Sequence, residues 1–157
     1  MVALQMMAAC AVLGAPSLAS AAPAGIRQAE PQVEEPCTKA VGHATFKTAS
    51  EKTSIRNELS TELSQRQLLL LKFEKGEQTL KLTQLTAATC TITDGRAVFE
   101  GDGSATLNGE EGYTVHFKLV RVAKTQRFAV HARITKPEEE TIRVNASASS
   151  VGSEEIS

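Results

Sequence analysis

Aromatic side chains are scarce in this sequence, and it has no excess of basic charge. The 157 residues include no Trp and a single Tyr, and aromatic residues make up 4% of the chain. Lys and Arg number 17 against 18 for Asp and Glu, which gives a formal net charge of -1 at pH 7. Nucleic-acid-binding proteins need clustered basic residues for phosphates and often exposed rings for bases. The composition therefore argues against a nucleic-acid partner.

Motifs of common catalytic and cofactor sites are missing as well. There is no Gly-x-Ser-x-Gly nucleophile elbow, and no Cys-x-x-Cys or Cys-x-x-His pair that would indicate a redox or structural metal site. We therefore predict no catalytic residue and no organic cofactor, and we favour a protein that is not an enzyme.

What the amino-terminal segment does contain is typical of an export signal. No charged side chain occurs over 2–24, and this stretch, rich in Val, Leu, Met and Ala, includes Ser17-Leu18-Ala19-Ser20-Ala21-Ala22 near its end. Such small residues are what signal peptidase requires before its cleavage point, so we predict a signal peptide over 1–22, cleaved after Ala21 or Ala22. The mature protein is accordingly expected to be secreted, either outside the cell or into a periplasm.

Other interpretations of this segment stay open. A membrane anchor would need about 20 apolar residues, and Pro16 interrupts a run that is already shorter. Lipidation at Cys10 is suggested by a loose likeness of Met7-Ala8-Ala9-Cys10 to a lipobox. An authentic start upstream of Met1 would account for the missing Lys or Arg ahead of the apolar stretch.

Cleavage of this signal would remove Cys10 and leave Cys37 and Cys90 in an oxidising compartment. We predict a disulfide between them, with two separately buried thiols as the alternative. Closing a loop of roughly fifty residues stabilises a fold by about 4 kcal/mol in the chain-entropy model, which is a large share of a small domain's stability.

The rest of the chain has room for a single domain. Residues 23–36 are polar and interrupted by Pro, so they are expected to form a flexible linker. Residues 37–145 are expected to fold. Residues 146–157 are rich in Ser, Ala and Glu with few large side chains, and we predict a disordered tail there.

Short runs rich in Val, Ile, Thr and Phe, divided by Asp94-Gly95 and Asn108-Gly109, are typical of strands joined by tight hairpin turns. The predicted fold is all-β, an antiparallel β-sandwich or partly closed barrel of about seven to nine short strands. The predicted strands are Val41–Thr48, Gln67–Phe73, Thr79–Leu85, Thr91–Thr93, Arg96–Phe99, Tyr113–Val120, Arg127–Thr135 and Thr141–Asn145. The segment near 52–66 is ambiguous, because Ile55, Leu59 and Leu63 suit a helix face and also one side of a strand. We favour a short helix or irregular insert there.

The clearest hairpin joins Tyr113–Val120 to Arg127–Thr135, since apolar and polar residues alternate along both. A register centred on the Ala123-Lys124 turn places their apolar residues on one face. It pairs Leu119 with Phe128, Phe117 with Val130, Val115 with Ala132 and Tyr113 with Ile134.

From Gly42 to Ile134 the chain resembles the post-COAP family of small secreted β-domains. The residues that carry the resemblance are Gly42-His43-Ala44-Thr45-Phe46, the glycine-punctuated stretch from Arg96 to Gly109, Gly112-Tyr113-Thr114-Val115 and Arg127-Phe128-Ala129-Val130. The resemblance implies an extracellular, β-sandwich-like accessory domain.

Three histidines are the best candidate for site chemistry. In the register above, His116 lies opposite His131 on the outward face, and His43 also points outward from its strand. Imidazole nitrogens suit Zn²⁺ or Cu²⁺, so these residues could form a metal site, although cross-strand polar pairs on a solvent face are common. A Ca²⁺ site is a weaker hypothesis, based on the oxygen-rich residues Glu100, Asp102, Ser104, Asn108, Glu110 and Glu111.

Three functional hypotheses follow. The first is a non-catalytic module that contacts an envelope or extracellular polymer or protein. The second is a histidine-based metal-binding protein, and the third is a small hydrolase or inhibitor without an identifiable active site. No transmembrane span is expected in the mature chain.

Overall fold

The computed structural model describes residues 33–149 and 152–157. Over these residues the protein is all-β and contains no helix long and apolar enough to cross a membrane. The strands are β1 Glu34–Pro36, β2 Lys39–Lys47, β3 Lys52–Ser60, β4 Leu68–Phe73, β5 Gln78–Thr93, β6 Arg96–Leu107, β7 Glu110–Val122, β8 Arg127–Thr135, β9 Ile142–Ser149 and β10 Gly152–Ile156.

All ten strands belong to one antiparallel sheet, in the order β10-β2-β3-β4-β5-β6-β7-β8-β9 with β1 added beside β5. The sheet curls into a half-barrel, so the predicted all-β, partly closed form is confirmed. Strands β2 to β9 follow one another as a meander, and β10 then returns to pair with β2. Two residues separate Ser149 from Gly152, so the adjoining ends of the edge strands β9 and β10 lie within about 11 Å of each other.

Two hairpin turns form where the sequence predicted them. Asp94 and Gly95 join β5 to β6 with φ of 50° and 75°, and Asn108 and Gly109 join β6 to β7 with φ of 52° and 83°. Positive φ at both central residues defines the type I′ turn, whose twist matches that of the flanking strands.

The inward face of the curled sheet is the hydrophobic core. Phe99 and Phe117 stack on neighbouring strands with ring centroids 6.3 Å apart, and Phe46 stacks on Phe128 at 6.0 Å. The largest fully buried apolar side chains are Phe99, Phe117, Leu59, Leu69, Leu71, Leu80, Leu119, Ile134, Val115 and Val130. These residues come from β3 to β8, so one continuous core connects the sheet.

Two glycines of β6 let β5 approach closely at its bulges. The pairing of β5 with β6 shifts between Leu82 and Gln84 and again between Leu85 and Ala87. A Cβ atom on Gly103 would lie 2.2 Å from the carbonyl oxygen of Gln84, and one on Gly101 would lie 2.6 Å from the ring of Phe117. A side chain at Gly103 would collide with the backbone of β5, and one at Gly101 would collide with the buried ring of Phe117 on β7.

The predicted disulfide between Cys37 and Cys90 is present. It joins the segment between β1 and β2 to the carboxyl-terminal half of β5, with Cα atoms 5.1 Å apart. Both cysteines are buried in the core. The bond therefore fixes β1 against β5 at a place where β4 no longer pairs with that strand.

The helix or irregular insert favoured near 52–66 is wrong, because Lys52–Ser60 is strand β3 and only the residues after it form a turn. Ile55 and Leu59 point inward, and so do Thr53 and Asn57 between and beside them. These two buried polar residues interrupt the apolar alternation and leave an apolar residue at every fourth position, which imitates a helix face.

The disordered tail predicted over 146–157 is also wrong for the residues that the structure describes. Strand β9 runs to Ser149, and Gly152–Ile156 pairs with β2. Small inward-facing alanines and a single buried Ile156 give these strands little apolar signal, so backbone pairing rather than side-chain burial defines them. The folded part also begins before Cys37, since Glu34–Pro36 of the predicted linker is β1. The predicted signal peptide, Cys10 and linker residues 23–32 lie outside the described residues.

Replacing both bonded cysteines, Cys37→Ser with Cys90→Ser, is expected to lower the free energy of unfolding by about 4 kcal/mol, because the unfolded chain regains the entropy that the cross-link removes. Denaturant unfolding of the oxidised protein and of the double variant measures the difference. A loss below about 1 kcal/mol would contradict this account.

Gly103→Ala is expected to destabilise the protein by about 2 kcal/mol, since its Cβ must displace the Gln84 carbonyl of β5. Thermal and denaturant unfolding provide the measurement. The neighbouring Ser104→Ala, on the outward face of the same strand, is the control and should change stability by less than about 0.5 kcal/mol. Equal effects of the two substitutions would show that the close approach of β5 to Gly103 does not determine the loss of stability.

Candidate functional site

The register between β7 and β8 differs by two residues from the predicted one. The last pair before the turn is Val122 with Arg127, and the turn comprises Ala123 to Gln126, with Gln126 at φ 53° and its N–H donating to the Ala123 carbonyl. The observed pairs are Leu119 with Val130, Phe117 with Ala132 and Val115 with Ile134. The four predicted pairs were wrong because no Gly or Asn marks the left-handed turn position. An even shift keeps every side chain on its predicted face.

This register separates the histidines that the sequence placed together. His116 lies opposite Asp102 on β6 and Arg133 on β8, rather than opposite His131. His131 lies opposite Lys118. His43 is exposed on β2, with β3 to β6 between it and β7 in the sheet order.

The structure therefore does not bring the three predicted metal ligands together. Within residues 33–149 and 152–157, no three His, Cys, Asp or Glu side chains are placed to share a metal ion. The oxygen-rich residues considered for Ca²⁺ make separate contacts instead. Asn108 accepts a hydrogen bond from the Thr79 N–H at 2.8 Å, Glu110 pairs with Lys136, and Asp102 faces His116.

The outward surface of β6 to β9 carries two rows of polar side chains, which we call the polar face. The first row runs across the four strands as Asp102, His116, Arg133 and Arg143, and the second as Glu100, Lys118, His131 and Asn145. Strand alternation produces this arrangement, because the inward neighbours in every strand are buried. Carboxylates lie at the β6 side and cationic or imidazole groups on β7 to β9.

His116 contacts both carboxylates of the polar face. Its Nδ1 lies 2.7 Å from Oδ1 of Asp102, and its Nε2 lies 2.9 Å from Oε1 of Glu100. Carboxylate oxygens accept hydrogen bonds, and a neutral imidazole has one N–H to donate, so both contacts become hydrogen bonds only when the ring is protonated. In that form His116 offsets much of the negative charge of β6.

Arg133 and Arg143 face each other directly across β8 and β9. Like charges in such a pair repel, so a neighbouring carboxylate would be expected to separate them. Among the described residues, no carboxylate lies within salt-bridge distance of either guanidinium or of Lys118. These three cations are therefore unpaired within the described part of the chain.

Two adjoining depressions lie on the polar face. One has a volume of about 430 Å³ and is lined by Asp102, Ser104, Thr114, His116, Arg133 and Arg143 among others. The other, of about 270 Å³, is lined by His116, Lys118, His131, Ala132, Arg133, Arg143 and Asn145. The two share His116, Arg133 and Arg143, so the arginine pair lines both depressions. Guanidinium groups bind carboxylate, sulfate and phosphate through paired hydrogen bonds.

The arginine pair is the feature that the sequence analysis missed. Arg133 lies two residues after His131 on the outward side of a strand that was predicted, and Arg143 lies within the predicted strand Thr141–Asn145. The sequence therefore allowed the prediction that both arginines point outward. It did not allow the prediction that they face each other, because that depends on the pairing of β8 with β9.

Comparison with models of protein families, with curated proteins and with solved structures found no match for this chain. The resemblance to the post-COAP family stays a prediction.

The double variant Arg133→Gln with Arg143→Gln is expected to unfold within about 0.5 kcal/mol of the unmodified protein, or slightly above it, because exposed side chains are removed and a like-charge contact is relieved. Chemical denaturation at low salt measures this. A destabilisation above about 1.5 kcal/mol would mean that the pair supports the fold and would weaken its assignment as a binding site.

Proposed function

We propose that the protein is a non-catalytic binding module whose polar face holds an anionic polymer of the cell envelope or the extracellular space. The observation that carries the proposal is the directly opposed pair of Arg133 and Arg143, exposed and without a carboxylate partner among the described residues. An acidic group bound between the two guanidiniums would remove their repulsion and gain paired hydrogen bonds.

A polymer suits this surface because the polar face offers neighbouring volumes rather than one enclosed cavity. The two depressions adjoin at the arginine pair, and Lys118 extends the cationic area along the strands. A chain with acidic groups at successive units would contact both depressions at once, and each contact raises the effective concentration for the next.

Charge takes the place of ring stacking in this proposal. Sugar-binding surfaces commonly stack rings on exposed Trp or Tyr. This protein has no Trp, and its only Tyr, Tyr113, is buried against the core. Recognition through arginine and lysine needs no aromatic platform, and it implies a ligand that is acidic rather than neutral.

The contacts of His116 favour binding over catalysis at this face. Both ring nitrogens lie against carboxylates, so neither is free to accept a proton from a serine or threonine hydroxyl. The disulfide fits an oxidising compartment, where envelope and extracellular polymers are found.

The proposal is tested by co-sedimentation of the protein with an insoluble acidic polysaccharide, with a neutral polysaccharide of the same backbone and with washed cell envelopes, all in chelator. We expect retention on the acidic polymer and not on the neutral one. Arg133→Gln with Arg143→Gln should weaken retention about tenfold or more, which corresponds to one or two charge-assisted contacts. About 1 M salt should abolish it.

Arg56→Gln with Arg66→Gln is the matched control, since both are exposed arginines outside the polar face and the change removes the same two charges. It should leave retention unchanged. Retention that falls equally in both variants would indicate adsorption by net charge. Absence of retention on every acidic matrix would contradict the proposal.

A further inference from the structure

The carboxyl group of Glu154 is buried inside the half-barrel, away from the polar face. Glu154 lies on β10, the edge strand that pairs with β2, and its side chain points inward. Pairing places Glu154 beside Gly42 on β2, and Gly42 beside Asn57 on β3. The three residues thus form one row across three neighbouring strands.

Gly42 makes room for the glutamate in this row. A Cβ atom at this position would lie 2.8 Å from the carboxyl carbon of Glu154 and 2.0 Å from the carbonyl oxygen of Ser153. The Glu154 side chain therefore lies across the glycine and toward Asn57. Any larger residue at position 42 would displace β10.

Three oxygen atoms in this row are buried and, among the described residues, accept no hydrogen bond: both carboxyl oxygens of Glu154 and Oδ1 of Asn57. Asn57 is 2% exposed, and its Nδ2 donates to the Ala40 carbonyl at 3.0 Å. Unsatisfied buried acceptors are costly, and a row of acceptors alone cannot satisfy itself. A proton on the Glu154 carboxyl supplies the missing donor.

We propose that Glu154 is held as the neutral acid over Gly42, donating a hydrogen bond to Oδ1 of Asn57, and that loss of this proton loosens β10 from β2. The carboxyl O–H satisfies Asn57 and removes a buried charge. The ionised form restores the three unpaired acceptors. Strand β10 thus acts as a latch that is closed in acid and loosened as the pH rises.

The charged groups around Glu154 do not remove this preference. Burial raises the pKa of Glu154 from 4.5 to about 7, against smaller lowering effects of Asn57 and Arg121. Arg121 and Arg127 line a cavity of about 320 Å³ together with Glu154. Strand β6 also approaches β10, and its inward residues are apolar. Glu155 and His43 are exposed and alternate with the inward positions of their strands, so they point away from Glu154.

The sign of the pH effect follows from this raised pKa. The folded protein keeps the proton to higher pH than the unfolded chain, so the contribution of the protonated row is complete below about pH 4.5. It declines as the pH rises and is lost above about pH 7. Opening of β10 would expose the backbone of β2 as a new sheet edge.

Amide hydrogen exchange of the β2 residues Ala40 to Ala44, corrected for intrinsic exchange rates, tests the latch at about pH 5.5 and about pH 8.5. Protection of these amides in the unmodified protein is expected to fall at least tenfold at the higher pH. Glu154→Gln keeps a neutral donor for Asn57, so its protection should not change with pH. Glu155→Gln, at the exposed neighbouring position, is the control and should behave like the unmodified protein.

A fall in protection that persists in Glu154→Gln would overturn the proposal. Carbon NMR titration of the Glu154 carboxyl in the unmodified protein gives a second readout that does not depend on whether a variant folds. A midpoint well above 4.5 is expected, and a midpoint at the ordinary glutamate value would contradict the neutral acid.

Discussion

Phe46 on β2 and Phe128 on β8 stack with ring centroids 6.0 Å apart, although β3 to β7 lie between their strands in the sheet. A single sheet without a second layer can bury its apolar side only by curling until distant strands meet. This contact is where the two halves of the curled sheet touch. Close packing elsewhere in the sheet depends on Gly103, beside the bulged backbone of β5, and on Gly101, beside the ring of Phe117. The disulfide then ties the start of the sheet to the far half of that long strand.

The curl also determines where the chemistry lies. Because the inner face is committed to the core, strand alternation leaves the outer face of β6 to β9 to polar residues. His116 engages the carboxylates of β6, and the cations of β7 to β9 are left without acidic partners among the described residues. The return of β10 to the sheet edge has the opposite effect, since it carries Glu154 into the interior over Gly42. The same pairing rules thus produce an exposed cationic surface and a buried acid.

The features that depend on a few neighbouring residues, such as the hairpin turns, were predicted from the sequence. Asp94-Gly95 and Asn108-Gly109 defined their turns because few other pairs tolerate positive φ twice. The disulfide was predicted because Cys37 and Cys90 are the two cysteines that remain once the predicted cleavage removes Cys10. The turn at Gln126 could not be predicted, since glutamine seldom adopts that conformation, and the resulting shift of two residues moved His116 from His131 to Arg133. Buried Thr53 and Asn57 concealed β3, and β10 has almost no apolar pattern. The arginine pair required knowledge of strand pairing, which alternation within single strands does not contain.

We propose that an acidic ligand binds at the outer surface of β7 to β9. Proton–nitrogen correlation NMR of the labelled protein, titrated with a soluble acidic oligosaccharide, tests it residue by residue. We expect shifts concentrated on the amides around Lys118, Arg133 and Arg143 and on the two guanidinium groups, with β2 to β4 unaffected. Shifts centred on β2 to β4, or none with any acidic oligosaccharide, would contradict it.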